Sequence, residues 1–206
     1  MGILHRLARR CRSCGGALRC FALASAGVAA VEFAMVLPVM VLIYLGTTEL
    51  TFAVNTDRKL TLLSRTLADL TARAATVTGS QLDDIFGAAL SVMAPYSTAN
   101  VKMVITSVAV TAKSGGGVEG KVCWSRAKGT GATALAKNTI VPVPDGFQAA
   151  NTSFIRAEVS MPYTPVFGSG VLNLVTSSPT LNLTESTPWP VRNVKEVVLD
   201  NTPCLT

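Results

Sequence analysis

The rhythm of apolar and polar positions changes three times along the chain. From Cys20 to Gly46 there is no alternation: the run is apolar, broken only by isolated residues such as Ser25, Glu32 and Tyr44. Val28 to Gly46 is 19 residues, which as a helix rises about 28 Å, close to the roughly 30 Å of a bilayer's hydrocarbon. A helix apolar on every side has only lipid to bury it, so this stretch predicts one transmembrane helix. Beyond it, Leu60, Leu63, Leu67, Leu70, Ala74 and Val77 recur at spacings of three and four, which places them on one helical stripe. No proline or glycine interrupts Thr47 to Thr78, so the helix is expected to continue as a stalk over 47–78, with any bend near Asn55. Leu60, Leu63, Leu67 and Leu70 are the expected helix-packing residues. The stripe is shorter than the three to four heptads or so that mark a coiled coil, so packing on the chain's own domain is the preferred reading.

Gly79-Ser80 interrupts this pattern, and Ser80 with Asp83 makes a capping pair for a second helix. That helix carries Leu82, Ile85, Phe86, Ala89, Leu90 and Met93 on one face and closes at Pro95. The period then drops to two. Val101 to Ala112 is rich in β-branched residues, Gly115-Gly116-Gly117 reads as a turn, and Val118 to Trp124 follows as the second strand. Ile155, Ala157, Val159, Met161 and Tyr163 alternate with Arg156, Glu158, Ser160 and Pro162, and Leu181 and Leu183 alternate with polar neighbours. Gly129 to Asn151 reads as loop with one helical turn. The predicted class is α+β: an N-terminal transmembrane helix extended into a stalk, a second amphipathic helix, and an antiparallel sheet of about four strands. The expected segments are a leader over 1–27, the membrane helix over 28–46, the stalk over 47–78 and an extracytoplasmic domain over 79–206.

Composition narrows the partners. With 206 residues the chain holds one small domain and an appendage, and 49% hydrophobic against 15% charged residues excludes a disordered chain. The net charge of +6 is a property of one end. Arg6, Arg9, Arg10, Arg12 and Arg19 precede Val28 with no acid among them, while 13 bases face 12 acids from Val28 onward. No nucleic-acid face is implied. The arginines instead orient the helix with its N-terminus in the cytoplasm and the domain outside the bacterial inner membrane. Ala24-Ser25-Ala26 resembles a signal-peptidase site, but the main apolar run follows it rather than precedes it.

Glu32 is the one acid inside the apolar run. An ionised carboxylate there costs roughly 2.5–3.5 kcal/mol on insertion scales, so it calls for a function unless it sits hydrated at the interface. Its spacing favours function. Gly27, four small apolar residues from Val28 to Val31, Glu32 and Phe33 form the processing signature of type IV prepilins. Cut after Gly27, the chain begins at Val28 with Glu32 as its fifth residue, and the new ammonium neutralises the carboxylate of a neighbouring subunit in low dielectric.

Gly27 to Pro38 with Gly46-Thr-Thr-Glu49-Leu50 resembles the TadE-like pilus assembly proteins of the tight-adherence (Flp) system. Weaker similarities follow in order: Asp57-Arg58-Lys59, Thr66-Leu-Ala-Asp69-Leu70, Cys123-Trp124-Ser125, Tyr163 to Gly168, Leu181 to Thr187, and Pro190-Val191-Arg192. Trp189 stands at the aromatic position, Val191 is an insertion, and the leader is long, with Cys11, Cys14 and Cys20. The resemblance implies a minor pilin or pseudopilin, matured by a prepilin peptidase and acting in pilus assembly. Its implied partners are that peptidase, other major and minor pilins, the inner-membrane assembly platform and membrane lipid.

Catalytic, cofactor and metal chemistry find little material. His5, the only histidine, lies in the leader, so no Ser-His or Cys-His pair is available outside. Asp83 and Asp84 are adjacent on a helix and point apart. Gly115 to Gly120 satisfies G-x-G-x-x-G, yet strands are expected on both sides, where a phosphate loop needs a following helix. Only Cys123 and Cys204 reach the oxidising side. A bridge between them is the favoured reading, with free thiols or a pairing between subunits as the alternatives. Besides the pilin, two other functions fit the sequence: an uncleaved single-pass scaffold or adaptor, and an anchored enzyme, for which no nucleophile–base pair is present.

Overall fold

The structure, a computed structural model, describes residues 25–165, 180–192 and 194–205. The leader up to Ala24, with His5, its arginines and its cysteines, and Val166 to Gly168 lie outside the described residues. The chain divides into two units, at Thr48 and Glu49. Helix α1 (Ser25–Ala72) begins in the first and ends in the second.

In the first unit every side chain from Val28 to Tyr44 is exposed, and the helix is long and apolar enough to cross a membrane. Pro38 sits within it, a residue that membrane helices tolerate. Thr47 and Thr48 hide their hydroxyls by donating to the Ile43 and Tyr44 carbonyls at 2.8–3.0 Å.

In the second unit α1 turns amphipathic. Leu60, Leu63, Leu67, Ala68 and Ala72 are buried in the domain's core, whereas Leu70, also expected to pack, is half-buried and does not join it. The helix stops at Ala72, short of the expected 78. Thr76–Val77 forms β1 instead, paired in parallel with β7 (Val198–Leu199) at the far end of the chain. β-Branched Thr76 and Val77 favour an extended backbone, and the C-terminal segment supplies the ladder that fixes it.

Helix α2 (Gly79–Leu90) is capped by Thr78, not by Ser80 and Asp83. The Thr78 hydroxyl accepts from the Gln81 N–H at 3.3 Å, and Gln81 Oε1 accepts from the Thr78 N–H at 2.9 Å. Glutamine at the third helical position completes a capping box. Asp83 is thereby left to face Arg126 and Lys128 of the sheet. A 3-10 turn (Ser91–Met93) and a cis Ala94–Pro95 bond close the element.

The sheet has five antiparallel strands, one more than expected: β2 (Lys102–Ala112), β3 (Val118–Lys128), β4 (Ile140–Val141), β5 (Thr152–Tyr163) and β6 (Leu181–Pro190), in the order β4-β3-β2-β5-β6. Met103, Ile105, Ile155, Ala157 and Val159 face the helices with Leu82, Phe86 and Met93. On the opposite face Val108, Val110, Val122, Val141 and Phe154 make a second, smaller core. The stretch from 129 to 151 covers that core with turns and β4 rather than a helical turn. β4 is two residues long, too short to show a period. It approaches β3 at Gly120, where a Cβ would meet the Val141 carbonyl at 2.9 Å. Gly115 to Gly117, all at positive φ, turn β2 into β3, so the glycine motif is a hairpin with no helix behind it.

Leu63→Ala is expected to cost about 2–5 kcal/mol in chemical denaturation, because Leu63 is fully buried. Leu62→Ala, one residue along and facing outward, is expected to stay within about 0.5 kcal/mol of the parent.

Candidate functional site

The processing motif opens α1. Gly27 is helical, and Val28, Glu32 and Phe33 are exposed on the apolar segment. Val28 and Glu32 are four residues apart, hence neighbours on one face of the helix. The motif carries no pocket or general base of its own among the described residues, so what it offers is a substrate segment and, after cleavage, an ammonium–carboxylate pair.

Farther along the same helix, a series of polar side chains fastens it to the domain. Glu49 Oε2 accepts a hydrogen bond from the Tyr163 hydroxyl at 3.2 Å, where Tyr163 is 8% exposed at the end of β5. Burial, and then the hydrogen bond and charge of Glu49, push the Tyr163 hydroxyl up to about 12. Lys59 Nζ donates to the Val92 and Ala94 carbonyls at 3.0 and 3.2 Å, holding the turn after α2. Thr61 donates to Glu185 on β6 at 3.0 Å. The buried Ser64 hydroxyl bonds the Ala157 carbonyl at 3.1 Å and the Thr187 hydroxyl at 2.9 Å. Asp69 pairs with Arg73, just past the end of the helix, and with Arg192 at 3.2 Å, and Arg192 lies 5.9 Å from the Trp189 ring centre. Segments separated in sequence thus meet as pairs: Glu49 with Tyr163, and Asp69 with the Trp189-to-Arg192 stretch.

A separate fastening holds the C-terminal segment. Cys123 and Cys204 form a disulfide, with Cα atoms 5.5 Å apart. Next to it, Trp124 Nε1 donates to the Val197 carbonyl at 2.7 Å. The Glu196 carboxylate, 8% exposed, accepts from the Cys204 and Leu205 N–H groups at 3.0–3.1 Å. Cys123, Glu196 and Cys204 bring three potential ligand atoms within 4.8 Å of one another. Both sulfurs are committed to the disulfide and the carboxylate to two amides, so this donor set does not suit a cation.

Sequence reasoning located the leucine stripe and the cysteines but none of these polar fastenings. The one available signal was Ser64 and Thr71 falling on the apolar stripe, where a buried hydroxyl needs a partner. Thr71 finds it on its own helix, at the Leu67 carbonyl.

Residues 27–69 match the family model described as TadE-like protein. No curated protein and no solved structure matches the chain. The matched stretch starts at the processing motif and ends at Asp69, so it contains the helix side of every fastening described for α1. A TadE-like segment associates the chain with the Tad pilus.

Two outcomes are expected from these contacts. Tyr163 holds its proton more tightly when folded than its ordinary value of 10.0 allows. Its contribution to stability is therefore complete below pH 10 and declines as pH rises between about 10 and 12. Unfolding titrations across that range should show the decline, and Tyr163→Phe should flatten it. Cys204→Ser opens a loop with a sequence separation of 81. The chain-entropy model sets the loss near 4–5 kcal/mol, read as a lower denaturation midpoint.

Proposed function

We propose that the chain is a minor pilin of a Tad-type pilus. It is anchored by Val28–Gly46 with its N-terminus in the cytoplasm and is cut between Gly27 and Val28 by a prepilin peptidase. The observation that carries this reading is the Gly27-to-Phe33 spacing at the start of an apolar helical segment whose side chains are exposed from Val28 to Tyr44. Ionised Glu32 is expensive in lipid, and cleavage creates its counter-ion, the Val28 ammonium of an adjacent chain. Each chain supplies one of each, so helices pack head to side in a series.

The domain from Glu49 onward is the surface that meets other pilins and the assembly platform, with lipid around the anchor. Its work is structural, with no turnover. The fastenings along α1 support this role, because a helix locked to its domain carries that domain with it when it packs among others.

The N-terminus and intact mass of the protein from its native membrane test the reading. A chain beginning at Val28, and remaining full-length when the prepilin peptidase is absent, is the expected result. Full-length protein in peptidase-competent cells would replace the pilin with an uncleaved membrane-anchored adaptor.

A further inference from the structure

Beyond Gly46, α1 keeps an apolar surface that the domain does not cover. Leu50, Phe52 and Val54 are all exposed, Leu50 the most at 64%. Glu49 is the one charged residue from Gly46 to Thr56, and its carboxylate accepts the Tyr163 hydroxyl at 3.2 Å. Thr48 and Thr56 donate their hydroxyls to the Tyr44 and Phe52 carbonyls of their own helix. Asn55, and then Asp57, Arg58 and Lys59, end the apolar surface. The sheet adds to it at the Glu49 contact. Leu181, also exposed, stands opposite Tyr163 in the β5–β6 ladder and hence on the same face.

We propose that Leu50, Phe52, Val54 and Leu181 lie in the headgroup–acyl boundary of the bilayer that holds the apolar part of α1, with the Glu49–Tyr163 pair behind them. Covalent reach keeps this surface near lipid. Leu50 is four residues past Gly46. Even a fully extended chain covers at most about 3.6 Å per residue, so Leu50 stays within roughly 14 Å of Gly46 whatever path the chain takes. The arrangement around the helix then selects lipid over a protein partner. At about 100° per residue, Leu50 and Val54 point about 40° apart, and Phe52 about 160° from both. A partner helix packs on one stripe about 100° wide, whereas lipid covers opposite sides of a helix at once. The polar groups agree with this assignment. A carboxylate bonded to Tyr163 and hydroxyls bonded to their own helix bring fewer unmet hydrogen bonds into the boundary.

This inference rests on the anchoring in the proposed function but not on the cleavage. The test reconstitutes the full-length protein in vesicles of phosphatidylethanolamine and phosphatidylglycerol. Each variant carries one added tryptophan, and the parent emission of Trp124 and Trp189 is subtracted. The quenchers are phospholipids brominated either near the headgroup or at mid-chain. Phe52→Trp and Leu181→Trp should each be quenched about twofold or more, and more by the shallow label, because interfacial apolar groups sit about 5–10 Å into the boundary. Ile140→Trp should be unaffected, since Ile140 pairs with Lys121 at the opposite end of the ladders from Tyr163. Phe33→Trp, in the anchor, separates the two readings. If it is quenched while Phe52→Trp or Leu181→Trp is not, this proposal falls and the anchoring stands; if it is not quenched, both fall. A blue-shifted but unquenched Phe52→Trp would replace lipid with a protein contact. Equal quenching of Ile140→Trp would mean that the whole surface adheres to vesicles, which also overturns the proposal. Every variant is required to keep a protease-resistant domain, and Val54→Trp stands in for one that does not.

Discussion

Burial of the Leu60–Leu63–Leu67 stripe against the inner face of the sheet is the contact on which the rest of the domain depends. It uses a helix that begins as an apolar segment exposed on every side and turns amphipathic where its residues meet the domain's core. Fully burying a leucine contributes roughly 1.5–3 kcal/mol, so three on one stripe are enough to dock a helix. Apolar contact is non-directional, however, and does not by itself fix the helix's rotation or axial position. The polar pairs do that. Ser64 reaches both β5 and β6 through Ala157 and Thr187. A shift of one residue would leave its buried hydroxyl unpaired at a cost of about 1–3 kcal/mol.

How much of this was legible in the sequence follows from the range of the interactions. The long apolar helical segment is legible from its unbroken composition and the Leu60–Leu63–Leu67 stripe from local periodicity. The end of α1 is not, because Ala72 is followed by a strand whose partner, Val198, lies more than a hundred residues away. The N-cap of α2 was readable in principle. Thr78-x-x-Gln81 fits the capping-box pattern with its glutamine, and Ser80-x-x-Asp83 does not. β4 left no trace, since two residues cannot alternate convincingly. At the candidate site, the Gly27-to-Phe33 motif is a pattern in sequence alone. The pairing of Asp69 with Arg192 depends on the register of β6 against β5, which no local pattern encodes.

The C-terminal segment shows the same division of labour. Val197 is buried in the main core, but its position is set by directional contacts on each side: the Trp124 indole, the ladder with β1, and the Glu196 carboxylate holding the Cys204 and Leu205 amides. The disulfide adds a covalent constraint to a segment that these contacts already align. Its stabilisation in the chain-entropy model comes from restricting the unfolded chain. The local contacts determine where the segment lies when folded.

The fastenings along α1 run from Glu49 to Asp69 and attach to β5, β6, the turn after α2 and the stretch after β6. A domain held at one point on a helix can swivel about it. One held at Glu49, Lys59, Thr61, Ser64 and Asp69 cannot do so without breaking several contacts together. The direction in which the domain presents its surface is therefore tied to the rotation of the Glu49-to-Asp69 part of the helix. Arg58, Leu62 and Arg65 occupy the side of α1 that the core leaves free. Any packing that sets the rotation of this part of α1 then also decides where those three residues point.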